Sequence, residues 1–209
     1  MSTIRIVGGV WRRTPVQVPD RPGLRPTPDR VRETLFNWLG QDLAGWRVLD
    51  AFAGSGALGF EAASRGAAEV LMVEADRTAA AAIGRQLERL RGSSDDAARG
   101  AAEVVELRRD DILRVLPALA AAGRHFDLAL LDPPFGEGWL ERVMPALVPV
   151  LADGARVYVE SAAAVDLDEL AAGLPAGSGE LLSLRLGRAG QVHYHLFEYR
   201  PNLRPDPRS

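Results

Sequence analysis

Four consecutive residues, Asp132-Pro133-Pro134-Phe135, put acceptors, a stiff backbone and an aromatic face into one short stretch. Two prolines fix φ and withdraw two N–H donors. What remains is the Asp132 carboxylate and the Pro133 carbonyl. An exocyclic amine on a nucleobase carries two N–H groups and a lone pair delocalised into its ring. Two acceptors can hold both hydrogens, draw the nitrogen toward a tetrahedral shape and aim its lone pair. Phe135 can stack on the base. When the incoming group is already electrophilic, such positioning and local electrostatics supply most of the catalysis.

A second constellation runs from Asp50 to Gly59. Gly54, Gly56 and Gly59 satisfy G-x-G-x-x-G, and Glu74 sits at the offset of an acid that accepts hydrogen bonds from a ribose diol. An NAD site is one reading. Asp50 speaks against it, because a dinucleotide places a dianionic pyrophosphate on this turn and a nearby carboxylate repels it. The same carboxylate suits a cationic amine, such as the methionine end of S-adenosylmethionine. Asp111 either accepts from an adenine amino group or caps the following helix. The cofactor-binding candidates are Asp50, Ala51, Phe52, Gly54, Gly56, Glu74, Asp111 and Ile112.

Short apolar runs and helical segments alternate around these residues. Val48–Phe52 precedes a helix at 57–65, Val70–Val73 one at 77–90, and Val104–Leu107 one at 112–121. Leu128–Leu131 precedes a helix at 138–150 and Val157–Val159 one at 166–172. This alternation predicts a parallel sheet with helices on both faces. Asp50, Glu74, Asp111 and Asp132 then follow successive strands, where ligands of such sheets bind. Leu181–Leu186 and Val192–Tyr199, joined by Gly187–Gly190, read as a hairpin whose last strand runs antiparallel to the others. Ile4–Val10 and Val16–Val18 read as short strands, and Pro28-Asp29 opens a helix through Val31, Leu35, Trp38 and Leu39. Residues 91–102 are small and polar and read as a loop. The expected division is a basic hairpin-and-helix extension over 1–39, the main domain over 40–200, and a frayed tail over 201–209.

Composition narrows the chemistry. Cysteine is absent, which excludes disulfides, thiolate-metal sites and cysteine nucleophiles. All 25 basic residues are Arg, which excludes Schiff bases and a Walker lysine. His193 and His195 share one face of a strand, but transition metals want three or four ligands, so no metal is expected. Trp46 and Trp139 read as core or rim. No apolar run approaches a membrane span or a signal-peptide core, so a cytoplasmic location without membrane contact is expected. The net charge is -3, yet residues 1–39 hold seven Arg against Asp20, Asp29 and Glu33. That excess of +4 suggests a basic arm on an acidic body. Arg5, Arg12, Arg13, Arg25, Arg30 and Arg32 can neutralise phosphates, and Trp11 can either stack on a base or cover the hairpin. Arg25, Thr27 and Arg30 could instead brace the cofactor pocket.

Nearly end to end, the chain resembles the bacterial 16S ribosomal RNA guanine-N2 methyltransferase family called RsmD. The match covers Ile4–Gly9, Pro22–Leu39, Asp50–Gly59, Asp132–Phe135, Tyr158–Ser161 and Gly190–Val192. Of these, 22–39 is the most diagnostic. The resemblance implies a Rossmann-like class I methyltransferase with a mostly parallel seven-stranded sheet and an antiparallel last strand. It implies S-adenosylmethionine as cofactor and methylation of one guanine N2 in 16S ribosomal RNA or the assembling small subunit; a monomer is expected. Cofactor roles carry over to Asp50, Gly54, Gly56, Glu74 and Asp111, and target-base roles to Asp132, Pro133, Pro134 and Phe135. Alternatives are methylation of an amine on another RNA or DNA base, a non-catalytic RNA-binding assembly factor, and an NAD oxidoreductase.

Overall fold

The computed structural model describes residues 2–19, 27–134 and 138–202. The chain opens with an antiparallel pair, β1 (Ser2–Arg5) and β2 (Pro15–Val18), in which Ser2 faces Val18 and Arg5 faces Pro15. Helix α1 (Asp29–Trp38) follows, burying Val31, Leu35 and Phe36. The alternating region then runs β3 (Arg47–Asp50), α2 (Ala57–Ser64), β4 (Glu69–Val73), α3 (Arg77–Arg91), α4 (Asp96–Glu103), β5 (Val105–Arg108), α5 (Ile112–Ala121) and β6 (Phe126–Leu131). After α6 (Trp139–Leu147) come β7 (Leu151–Ser161), α7 (Leu167–Ala172), β8 (Glu180–Ala189) and β9 (Val192–Arg200).

The seven strands of the large sheet lie in the order β5-β4-β3-β6-β7-β9-β8. β3, β4, β5, β6 and β7 pair in parallel, and β9 lies antiparallel to both β7 and β8. This is the expected doubly covered sheet with its antiparallel last strand. Side chains of a strand alternate between faces, and the two cores follow that parity. Val48, Val70, Met72, Leu128 and Leu130 point to one face, under Phe36, Phe60, Ile83 and Leu87. Leu49, Leu71, Ala129, Leu131 and Val157 point to the other, under Leu116, Leu119, Val143 and Leu147. Among the described residues, no helix is long and apolar enough to cross a membrane.

Several boundaries differ from the sequence reading: the strand read at Ile4–Val10 is β1 (Ser2–Arg5), the one read at Val48–Phe52 ends at Asp50, and β8 runs on to Ala189 through most of the residues read as its turn. Residues 91–102 are not a loop: α3 extends to Arg91 and α4 begins at Asp96. The Asp95 carboxylate accepts from Ala98 N and caps α4, while buried Ala98 and Ala102 press against the core. Alanine is the best helix former, and its small side chain lets α4 lie close to its neighbours. The helix read at 138–150 ends at Leu147 and tightens into a 3₁₀ turn over Val148–Val150, which contains Pro149. β7 starts at Leu151, well before the Val157–Val159 run, and the intervening Asp153, Gly154 and Arg156 interrupt its apolar pattern.

The amino-terminal hairpin is bound into the larger core. Ile6, Trp11 and Val16 belong to the same buried cluster as the sheet residues above. Glu61 on α2 accepts from the backbone N–H of Val7 at 2.8 Å and of Gly8 at 2.7 Å. Gly9 follows at φ +71°, where an added Cβ would lie 1.7 Å from the Ser64 carbonyl oxygen. Only glycine lets the chain approach the end of α2 so closely.

Candidate active site

Parity and register bring three carboxylates to one place. Asp50 faces Leu130 across β3–β6, and Leu130 faces Tyr158 across β6–β7. Asp132 and Glu160 each lie two residues further along, on that same face and at the carboxyl ends of their strands. Asp50 and Glu160 are buried, and Asp132 is half-buried. The Thr27 hydroxyl, just ahead of α1, lies 3.0 Å from Glu160 Oε1 and 3.4 Å from Asp132 Oδ2. The Tyr158 hydroxyl donates to Glu160 Oε1 at 2.9 Å.

Crowding these groups away from water disfavours their charged forms. Burial pushes the Asp50 carboxyl up to about 7, against a lowering hydrogen bond from Gly59 N and with a further rise from the Glu74 charge. Asp132 is raised well above the usual carboxylate range by burial, then by the charges of Glu160 and Asp50. Burial also raises Glu160, opposed by the hydroxyls of Tyr158 and Thr27.

The glycine-rich loop is tied to these acids. Gly54 N donates to Glu74 Oε2 at 2.6 Å, and Asp76 N donates to Glu74 Oε1 at 2.7 Å. Gly59 N donates to Asp50 Oδ2 at 2.9 Å, and a Cβ at Gly59 would lie 2.9 Å from that same oxygen. Gly59 is therefore required by the approach of α2 to β3. Gly56 precedes α2 in the left-handed conformation. Ala51 is buried in the opposite core, and Phe52 packs edge-on against Trp139 at 5.4 Å. Asp111 caps α5 through Leu113 N, which is one of the two roles read for it, and Ile112 is buried. Pro133 is buried and Pro134 exposed. Phe135 lies outside the described residues.

Two residues assigned to RNA are inside the protein. Trp11 is 2% exposed, donates from Nε1 to the Ala98 carbonyl and meets Phe60 edge-on. It covers the hairpin and has no face left for a base. Arg32 is fully buried, with its guanidinium on Glu61, Asp29 and the Arg5 carbonyl. A cation so enclosed neutralises a protein carboxylate and no phosphate. Arg5, Arg12, Arg13 and Arg30 are exposed, and Arg25 lies outside the described residues. Of the histidine pair, His195 is buried, accepts from Val165 N and stacks on Phe197.

No sequence motif assigns a role to Glu160 or Tyr158, although they stand in the 158–161 block of the resemblance. The available signal was their position: Glu160 is a lone acid at the end of an apolar strand, the same place that marked Asp50 and Asp132. From sequence, Thr27 reads only as a brace for the cofactor pocket.

A family model described as conserved hypothetical protein 95 matches residues 4–198. A ribosomal RNA small subunit methyltransferase D from Escherichia coli (strain K12) is 42% identical over 197 residues, covering 93% of this chain and 89% of the relative. The chain belongs to the RsmD family. A solved Escherichia coli methyltransferase superposes on this RsmD chain with a TM-score of 0.75 and 37% identity, covering 96% and 99% of the two chains. An RNA methyltransferase from Salinibacter ruber, solved with S-adenosyl-L-homocysteine, shares the fold at a TM-score of 0.57 and 15% identity, covering 87% of this chain and 98% of its own.

Proposed function

We propose that the protein methylates the exocyclic N2 of one guanine in small-subunit ribosomal RNA, with S-adenosylmethionine as donor. The observation that carries this reading is the placement of Asp50, Glu74 and Asp132 at the carboxyl ends of β3, β4 and β6, three neighbouring parallel strands. The donor fits the residues present. A buried carboxylate raised to about 7 regains its charge when a cationic amine arrives beside it. Glu74 has a carboxylate at the loop where a ribose diol would lie. When bound, the donor supplies an electrophilic methyl group. The protein then has to hold the target amine in line, which is the work assigned to the Asp132 carboxylate and the Pro133 carbonyl. Phe135 is proposed as the stacking face for a base extruded from its helix.

Arg5, Arg12, Arg13 and Arg30 are the proposed phosphate contacts, and binding to RNA through them weakens as salt rises. The deciding experiment combines the protein with small-subunit ribosomal RNA, free and as assembled particles, and a labelled methyl donor. Digestion to nucleosides and mass spectrometry should find N2-methylguanosine at a single site by primer extension. Methylation of adenine instead would replace this reading by an amino-methyltransferase of different base choice, since two acceptors alone do not distinguish the amines. Tight donor binding without transfer to any RNA would leave a non-catalytic assembly factor.

A further inference from the structure

We propose that Glu160, acting through the Thr27 hydroxyl, takes over the proton that Asp132 receives from the methylated amine. The inference rests on the methyl-transfer reading above and gives a role to a buried acid that reading leaves unused. As the N–C bond forms and the S–C bond breaks, with its electron pair going to sulfur, the nitrogen holds one proton too many. The Asp132 carboxylate accepts it.

The hydroxyl geometry sets the direction of the next step. Thr27 has a single hydroxyl hydrogen and cannot donate to both carboxylates at once. At 3.0 Å from Glu160 and 3.4 Å from Asp132, that hydrogen lies on Glu160. A Thr27 lone pair is left toward Asp132. When Asp132 is protonated it donates to Thr27 Oγ1 while Thr27 passes its own hydrogen to Glu160. The net result is an ionised Asp132, an unchanged Thr27 and a neutral Glu160, with no proton gained or lost. Tyr158, donating to Glu160 Oε1, favours the ionised Glu160 that waits for the proton. Thr27 is 4% exposed and is held by Arg32, whose Nε donates to its carbonyl at 3.3 Å. Glu160 is a positioning and relay residue, since it reaches the reacting atoms only through others.

Among the described residues, the other ionisable groups facing this pair are Asp50 from β3, Tyr158 on Glu160's own strand and Tyr194, the register partner of Glu160 on β9. Glu74 acts on Asp50, and Arg32 approaches from α1 through the Thr27 carbonyl. The Glu160 charge raises the proton affinity of Asp132. Removing it leaves Asp132 a weaker base that ionises at lower pH.

The test measures single-turnover methyl transfer by the full chain across pH, using small-subunit ribosomal RNA and a labelled donor. Glu160→Gln should lower the plateau rate by roughly 10²-fold and move the acid limb of the profile to lower pH. Thr27→Val should lower the plateau, and Thr27→Ser should restore it. Donor affinity should be the same in all variants. An acid limb that stays in place in Glu160→Gln, or a Thr27→Val rate equal to that of Thr27→Ser, would overturn the relay while the methyl-transfer reading stands. The Thr27 pair decides the matter even if Glu160→Gln does not fold. Failure of the parent protein to methylate any small-subunit RNA would overturn both.

Discussion

Arg32 on α1 and Glu61 on α2 form an ion pair whose two side chains are both fully buried, 3.3 Å apart. Glu61 also receives the Val7 and Gly8 amides and the Arg65 guanidinium, and Arg32 reaches the Arg5 carbonyl. One carboxylate and one guanidinium thereby fasten the hairpin, α1 and α2 together.

Breaking this pair should cost stability. Arg32→Ala takes from buried Glu61 one of its two guanidinium partners, leaving Arg65 and two backbone amides, and should destabilise the protein by about 1–3 kcal/mol. Urea unfolding measures this directly. A loss below about 1 kcal/mol would mean that water reaches the pair.

The exposed arginines should behave differently. Arg12→Glu with Arg13→Glu should weaken RNA binding, leave donor affinity unchanged and reduce the slope of log K against log salt. Each lost phosphate contact should lower that slope by about 0.7–0.9. A titration at several salt concentrations checks it, and an unchanged slope would take these residues off the RNA.

The buried Asp50 carboxyl links stability to pH. Its folded-state value of about 7 lies above the usual carboxylate range, so between about pH 4 and 7 the folded state holds a proton that the unfolded state has lost. Stability from this group is therefore greatest in acid and falls as pH rises through that window. Asp50→Asn should make the donor-free protein more stable at pH 8, by on the order of a few kcal/mol, and should abolish most donor binding. Thermal melts at pH 5 and pH 8 with calorimetry of donor binding test both halves.

Glu74 also supports its own loop, through Gly54 N and Asp76 N. Glu74→Gln preserves one acceptor and removes the charge. Donor affinity should fall about 10- to 150-fold, the worth of a hydrogen bond to a charged group. Equal affinity in isothermal calorimetry would remove Glu74 from the ribose site.

Asp132→Ala should cut methyl transfer by about 10²–10³-fold with donor affinity nearly intact, because a preorganised polar group counts most as the transition state forms. A parental single-turnover rate would move the reacting site elsewhere.

The sheet was legible because its strands are short apolar runs bounded by glycine and acids, and because buried parallel strands need no alternation to be seen. Asp50, Glu74 and Asp132 were legible for the same reason, as each terminates such a run. Arg32 was not. Its burial depends on Glu61, 29 residues away, and no local pattern distinguishes an arginine facing a carboxylate from one facing solvent. Trp11 has the same origin: its partner, Ala98, lies 87 residues on. Helix α4 was missed because the glycine, serines and aspartates ahead of it read as a loop and hid the helix-forming alanines, whose helix starts at the Asp95 cap.

The long separation between Trp11 and Ala98 also orders events during synthesis. The hairpin is made before the helix that closes over its tryptophan, which follows β4 and α3. Early chain segments with distant partners pay the loop-closure entropy late. A nascent chain halted before residue 98 can seat its hairpin on Phe60, Glu61 and Ser64 of α2 but lacks the Ala98 carbonyl that accepts from the Trp11 indole.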